Sequence, residues 1–399
     1  MTATQQDTTG RFPAATRRPL SDGREIRYFD DHPGVLHDAV DSRNLEPAAH
    51  AGTVRHDVLT GEWVTIAAHR MTRTFLPSRA DCPLCPTLDR AHPTEVPESS
   101  YDVAVFDNRF PSFSTPAEEP VTAASRLDVT AASRLDVTAA SRPAVTAAAR
   151  LGAPDAPATG RCEVICFSSD HSASVSELSP RRMRTVVGAW AQRTAELSAE
   201  PAVAQVFCFE NRGEEIGVTL THPHGQIYAY PFVAPRTQAL LNQAKAHVRR
   251  TGGNLLRDVL HHEQRAAVRM VLAGEHWSAY VPTAARWPIE VHLAPHRDVP
   301  DLAALSQDEA DELADVYQEL LRRVDRFFPG VEKVPYIAGW HQAPTGEARE
   351  LGRLHLQVFS VLRAPGKLKF LAGSESGAGA WVNDASPEAI AQRLREVAS

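Results

Sequence analysis

Apolar and polar positions alternate in short runs through 27–66, and turn residues such as Thr60-Gly61 divide them. A period of two predicts small half-buried strands, of which Trp63-Val64-Thr65-Ile66 is the clearest. Upstream, residues 1–25 are polar without a sustained period, so a loose N-terminal arm is expected. Its arginines are in keeping with a transit peptide, but Asp7 and Asp22 are out of place in one. Further along, strand-like runs at 163–167 and 203–209 flank a segment where Met183, Val187, Trp190, Thr194 and Leu197 recur at helical spacing. Ser179 and Pro180 stand where an N-cap and a first-turn proline belong.

The same order returns later. Val291-His292-Leu293 reads as a strand, and Ser306 with Glu309 forms a capping box. The box opens a helix carrying Leu313, Val316, Leu320, Val324 and Phe327 on one side. Each series then reaches a run bearing histidine or glutamine: His222-Pro223-His224-Gly225-Gln226 first, His355-Leu356-Gln357-Val358-Phe359 second. We read an internal duplication of an α+β unit, each copy an antiparallel sheet with a long helix, over 26–235 and 236–399. Both histidines survive only in the first copy, so the chemistry is expected there.

Within the first unit, 121–152 holds four copies of an octapeptide, VTAASRLD, VTAASRLD, VTAASRPA and VTAAARLG. A period of eight matches no solenoid, and units this small and alanine-rich cannot build a core. The expectation is a disordered surface loop whose deletion leaves activity intact.

The 399 residues suffice for one large core or two to three ordinary ones. A net charge of -7 supplies no basic footprint for a nucleic-acid partner. No run nears the ~18 apolar residues of a membrane helix, and no signal peptide is expected. Five cysteines, an odd count, fit a reducing cytoplasm.

Cys82-Pro83-Leu84-Cys85 is either a redox dithiol or half of a tetrahedral metal site. A metal would need two more ligands from distant sequence, with His171, His222 and His92 as candidates. The run around His224 offers a different chemistry. A neutral imidazole can attack phosphorus if its other nitrogen is held by a hydrogen bond, for instance to a carbonyl. Gly225 would let backbone approach a phosphate. Gln226 could donate to a phosphoryl oxygen; lacking an acid proton, it implies a leaving group that departs unaided. The bland alternative is a pair of packing or metal-binding histidines.

Taken together, these motifs resemble the galactose-1-phosphate uridylyltransferase family of the histidine-triad superfamily, from about Arg55 to the C-terminus. The resemblance implies two histidine-triad-like units, a uridylylated His224, and one structural zinc per subunit on Cys82, Cys85, His171 and His222. It also implies substrate contacts at Arg70, Arg73, Asn108, Asn211, Thr219 and Gln226. Lys369, Phe370, Gly373 and Glu375 would reach the hexose phosphate across a homodimer interface, and Gly339-Trp340-His341 is a further marker. Two features depart from the family. A second metal site is expected to be absent, because Gln357 stands where a histidine would and Leu240 where a glutamate would, although His341 and His355 remain. A substrate-contacting glutamine has no counterpart around 377–381.

The implied activity is a ping-pong exchange of UMP between UDP-glucose and galactose 1-phosphate. The rivals are a phosphorylase or adenylyltransferase of the same superfamily acting on nucleotide sugars or dinucleoside polyphosphates, and a non-catalytic zinc-stabilised binding protein.

Overall fold

A computed structural model describes residues 13–47, 52–72, 76–114 and 156–398. The octapeptide repeat and Arg73 lie outside the described residues. In chain order the strands begin with β1 (Thr16–Pro19), β2 (Glu25–Phe29), β3 (Thr53–His56), β4 (Trp63–Ile66) and β5 (Val103–Asp107). They continue with β6 (Ala156–Pro157), β7 (Arg161–Cys166), β8 (Gln205–Arg212) and β9 (His224–Tyr230). The second half supplies β10 (Met270–Ala273), β11 (Trp277–Tyr280), β12 (Ile289–Pro295), β13 (Tyr336–His341) and β14 (His355–Ser360), then the short pair β15 (Leu362–Ala364) and β16 (Lys367–Leu368).

Eleven of these strands form one antiparallel sheet in the order β1-β2-β5-β7-β9-β8-β13-β14-β12-β11-β10. Both halves of the chain contribute strands to this one sheet, and each supplies one of the two 19-residue helices packed on it. The seam is β8 against β13, with Phe209 opposite Gly339 and Glu210 opposite Ala338. Gly339 is needed at the seam because a Cβ there would come within 2.6 Å of the Phe207 ring.

Both long helices cover one face. Helix α1 (Pro180–Ser198) starts as the sequence indicates, with the Ser179 side chain accepting from the Arg182 amide and Pro180 in the first turn. Helices α2 (Pro235–Thr251) and α3 (Leu255–Ala266) follow. Helix α4 (Gln307–Asp325) carries the Ser306–Glu309 capping box. One apolar core spans both halves. At its centre Trp190 of α1, Trp277 of β11, Trp340 of β13 and Tyr317 of α4 meet ring to ring at 6.0–6.2 Å. Such pairs add about 0.5–1.5 kcal/mol each beyond their area burial. A buried fork pins α1 to β7: Arg193 Nε donates to Glu163 Oε2 at 2.8 Å and Nη2 to Oε1 at 2.6 Å. Helix α3 packs on the other face through Leu260, against Tyr280 and Ala294.

The expected loose arm over 1–25 is corrected across its described part. Residues 16–19 form the edge strand β1, and Leu20, Asp22 and Arg24 are buried. Arg24 bridges Asp22 and Glu95 through its guanidinium, with contacts at 2.7 and 2.6 Å. The polar sequence of β1 concealed the strand because backbone pairing, not side-chain burial, holds it. Helices α2 and α3 also went unread, since only Thr237, Leu241 and Ala244 of α2 and Leu260 and Glu263 of α3 are buried.

Glu210 on β8 points into the core, where Tyr336 Oη donates to it at 2.9 Å and burial pushes its carboxyl up to about 7. Between its ordinary 4.5 and 7 the folded chain keeps a proton that the unfolded chain has lost. That contribution to stability is therefore complete below 4.5 and fades as pH rises through 7. Glu210→Gln should gain on wild type by roughly 3 kcal/mol between pH 4.5 and 8, measured by urea unfolding at both values.

Candidate active site and metal group

Strand β9 leaves the sheet's covered face only at its alternate positions. Gly225, Ile227 and Ala229 are buried toward the helices, whereas His224, Gln226, Tyr228 and Tyr230 line the opposite face. Gly225 therefore has a packing duty on the covered face. A Cβ there would sit 2.8 Å from both the Phe167 ring and the Phe209 carbonyl oxygen.

His222 and Pro223 lie in a bend just before the strand. The bend brings the His222 carbonyl to the His224 ring, whose Nδ1–H donates to it at 2.7 Å. A carbonyl only accepts, so the neutral ring carries its lone pair on Nε2. Burial holds the imidazole below its ordinary 6.5, which keeps that form at neutral pH. His224 borders a cavity of about 380 Å³ that Asn211, Arg212, Thr221 and Lys333 also line.

The bend positions a second cluster. The ligand atoms of Cys82, Cys85, His171 and His222 all lie within 4.8 Å of one another. Cys85 Sγ is 3.3 Å from His171 Nδ1 and 3.6 Å from His222 Nδ1. A tetrahedral edge between a thiolate and an imidazole on one zinc-sized ion is roughly 3.5 Å, so the group fits such an ion. The orientation fits as well: His222 Nε2–H donates to the Ser168 carbonyl at 2.8 Å and lies 2.9 Å from Tyr101 Oη, leaving Nδ1 for the ion. Burial holds His171 and His222 below the ordinary histidine value, in the neutral form that a metal ligand needs. Burial, then the neighbouring Cys82, pushes the Cys85 thiol up to about 12. Tyr101 gave no motif-level signal, and Ser168, three residues before His171, acts through its backbone carbonyl. His92 does not join the group; it is exposed and pairs with Asp89 at 3.0 Å.

The other sequence candidates are scattered around this centre. Arg70 is anchored beside β9, its Nη1 donating to Ser112 Oγ at 2.6 Å and meeting Tyr228 Oη at 3.4 Å. Asn108 spends its side-chain oxygen on the Phe110 amide at 2.8 Å. Thr219 lies in the loop before His222, its carbonyl accepting from the Leu76 amide at 2.8 Å. Lys369 is buried and pairs with Glu375 at 3.3 Å, Gly373 opens the turn holding Glu375, and Phe370 is 77 % exposed. None of these four lines the cavity at His224.

In the second half, His341 and His355 stack with ring centroids 4.9 Å apart. Gln357 donates to Glu290 at 2.5 Å and stands 3.3 Å from His341 Nε2. Burial pushes His341 down to about 3. Leu240 sits on α2, partly exposed.

The class follows from the whole architecture. A solved uridylyltransferase structure superposes with a TM-score of 0.70 and 29 % identity, covering 86 % of this chain and 98 % of that one. The protein is an enzyme of the nucleotidyltransferase class. Residues 43–234 match the N-terminal domain of galactose-1-phosphate uridyl transferase and residues 240–399 its C-terminal domain. Galactose-1-phosphate uridylyltransferase of Streptomyces lividans is 42 % identical, covering 96 % of this chain and 98 % of its own. That of Thermotoga maritima is 32 % identical, covering 86 % and 98 %. The chain belongs to the galactose-1-phosphate uridylyltransferase family.

If the four-residue group holds a divalent ion, Cys82→Ala or His171→Ala should abolish its one metal per chain, read by elemental analysis. Each should also lower unfolding stability by on the order of 3 kcal/mol, since ligand binding to the native state alone stabilises it.

Proposed function

We propose that this chain exchanges UMP between UDP-glucose and galactose 1-phosphate through a covalent uridylyl-His224. The observation that carries the reading is the Nδ1–H bond to the His222 carbonyl at 2.7 Å, which leaves Nε2 free to attack. Nε2 forms a bond to the α-phosphorus of UDP-glucose, and the bond to the departing glucose 1-phosphate oxygen breaks. A phosphate oxygen of galactose 1-phosphate then attacks the same phosphorus, the N–P bond breaks, and UDP-galactose leaves with His224 restored. Gln226 donates to a non-bridging oxygen while charge builds there.

Arg70, Arg73, Asn108, Asn211 and Thr219 are assigned to nucleotide and phosphate contacts. Cations and amides of this kind suit a diphosphate. Lys369, Phe370, Gly373 and Glu375 are assigned to the hexose phosphate of a partner subunit's site, in a homodimer. Support for that assignment is the exposed Phe370 ring, which does not line the cavity at His224 in its own chain. The ion on Cys82, Cys85, His171 and His222 is assigned as zinc in a structural role, because four protein ligands leave no open position. It would tether the Cys82 loop to the bend that aims His224. Among the described residues no helix is long and apolar enough to cross a membrane, and we place the enzyme in the cytoplasm.

Incubation with uracil-labelled UDP-glucose should leave one acid-labile uridylyl group per chain, and His224→Ala should carry none. Parallel-line two-substrate kinetics with galactose 1-phosphate should follow. Turnover with inorganic phosphate alone as acceptor would instead favour a phosphorylase. Protonation removes the attacking lone pair, so the labelling rate should fall as pH drops through a midpoint below the ordinary histidine 6.5.

A further inference from the structure

Gln226 can stabilise a phosphoryl oxygen only if its amide nitrogen faces that oxygen. An amide on a free side chain turns either way, so something must choose. Tyr228 stands two residues on along β9 and on the same face. Its hydroxyl donates to Gln226 Oε1 at 3.1 Å. On its other side the phenol oxygen meets Arg70 Nη1 at 3.4 Å, and Arg70 is itself held by Ser112 Oγ at 2.6 Å and the Phe110 carbonyl at 3.3 Å. Guanidinium groups only donate, so Arg70 occupies the phenol oxygen as an acceptor and turns the phenol proton toward Gln226. The Cys162 thiol and Ser112 complete the polar surroundings of that hydroxyl.

The ring cannot drift from this position. It packs edge-on against Phe209 at 5.1 Å, Tyr230 at 5.9 Å and Phe113 at 6.2 Å. Its neighbours therefore come from three strands or loops of the first half.

From this geometry we infer that Tyr228 is a positioning residue: it holds the Gln226 carbonyl toward itself and thereby aims the Gln226 NH₂ at the phosphoryl group on His224. The inference rests on the function proposed above. Arg70 acquires a second duty in it, that of setting the donor direction of Tyr228 as well as supplying charge.

Rapid-quench formation of uridylyl-enzyme from labelled UDP-glucose tests it. Losing a whole transition-state donor costs about 10²–10³-fold, so Gln226→Ala should fall in that range and Tyr228→Phe, which only frees the amide to turn, by about tenfold. The half-saturating UDP-glucose concentration for Tyr228→Phe should stay within about twofold, separating orientation from binding. The double variant should label no more slowly than Gln226→Ala alone, because Tyr228 acts through Gln226. Wild-type labelling by Tyr228→Phe, or losses that multiply in the double variant, would overturn the inference. A wild-type protein that never labels would instead overturn the proposed function.

Should Tyr228→Phe be unstable, 3,5-difluorotyrosine at 228 keeps the ring, the oxygen and the proton. Its labelling rate should fall as pH rises through the fluorophenol pKa, where the donor is lost, over a range in which wild type is flat. Identical profiles would count against the inference.

Discussion

Strand β8 lies between β9 and β13, and that pairing governs the whole chain. Through it two repeated units become one sheet, with α1 and α4 on a shared face. Covering that face with Trp190, Trp277, Trp340 and Tyr317 leaves polar and aromatic side chains of β9 on the other. Period-two alternation then sorts the residues without further help. Ile227 and Ala229 go to the core, while His224, Gln226 and Tyr228 go to the opposite face. A one-residue slip in β9 would exchange the two sets, and the buried apolar set forbids it.

The bend at His222-Pro223 couples the thiol–imidazole group to the His224 ring. His222 offers Nδ1 toward Cys85, while its carbonyl holds the His224 ring. One residue thus contributes its side chain to the thiol–imidazole cluster and its backbone carbonyl to the His224 imidazole. A cation binding there would stiffen the bend without touching substrate, since its ligands are all protein atoms. The second half shows the same scaffold put to another use. His341, Gln357 and Glu290 form a hydrogen-bonded group on which His355 stacks, and burial pushes both imidazoles toward the uncharged form.

Motifs with a local mechanism were legible in the chain. The Ser179 cap, the Ser306–Glu309 box and the two long helices all depend on residues within a few positions of one another. Segments whose stability is not local were misread or missed. Residues 16–19 look like a loose polar arm because β1 is held by hydrogen bonds to β2, which leave no mark on side-chain pattern. Helices α2 and α3 bury too little to imprint a strong stripe. The packing need for Gly225 also leaves no local mark, because it makes room for Phe167, a neighbour 58 positions away in the chain.

By itself, the sequence determined the class of chemistry: a histidine able to attack phosphorus, a glutamine beside it and thiol and imidazole donors at metal spacing, since these depend on residue type. Only the tertiary structure decided how those groups are aimed. The tautomer of His224 comes from a bend, the meeting of Cys85 with His171 and His222 from loops 86 and 137 residues apart, and the setting of the Gln226 amide from Tyr228 and Arg70. Direction is a property of contacts between distant segments, and a linear pattern does not carry it.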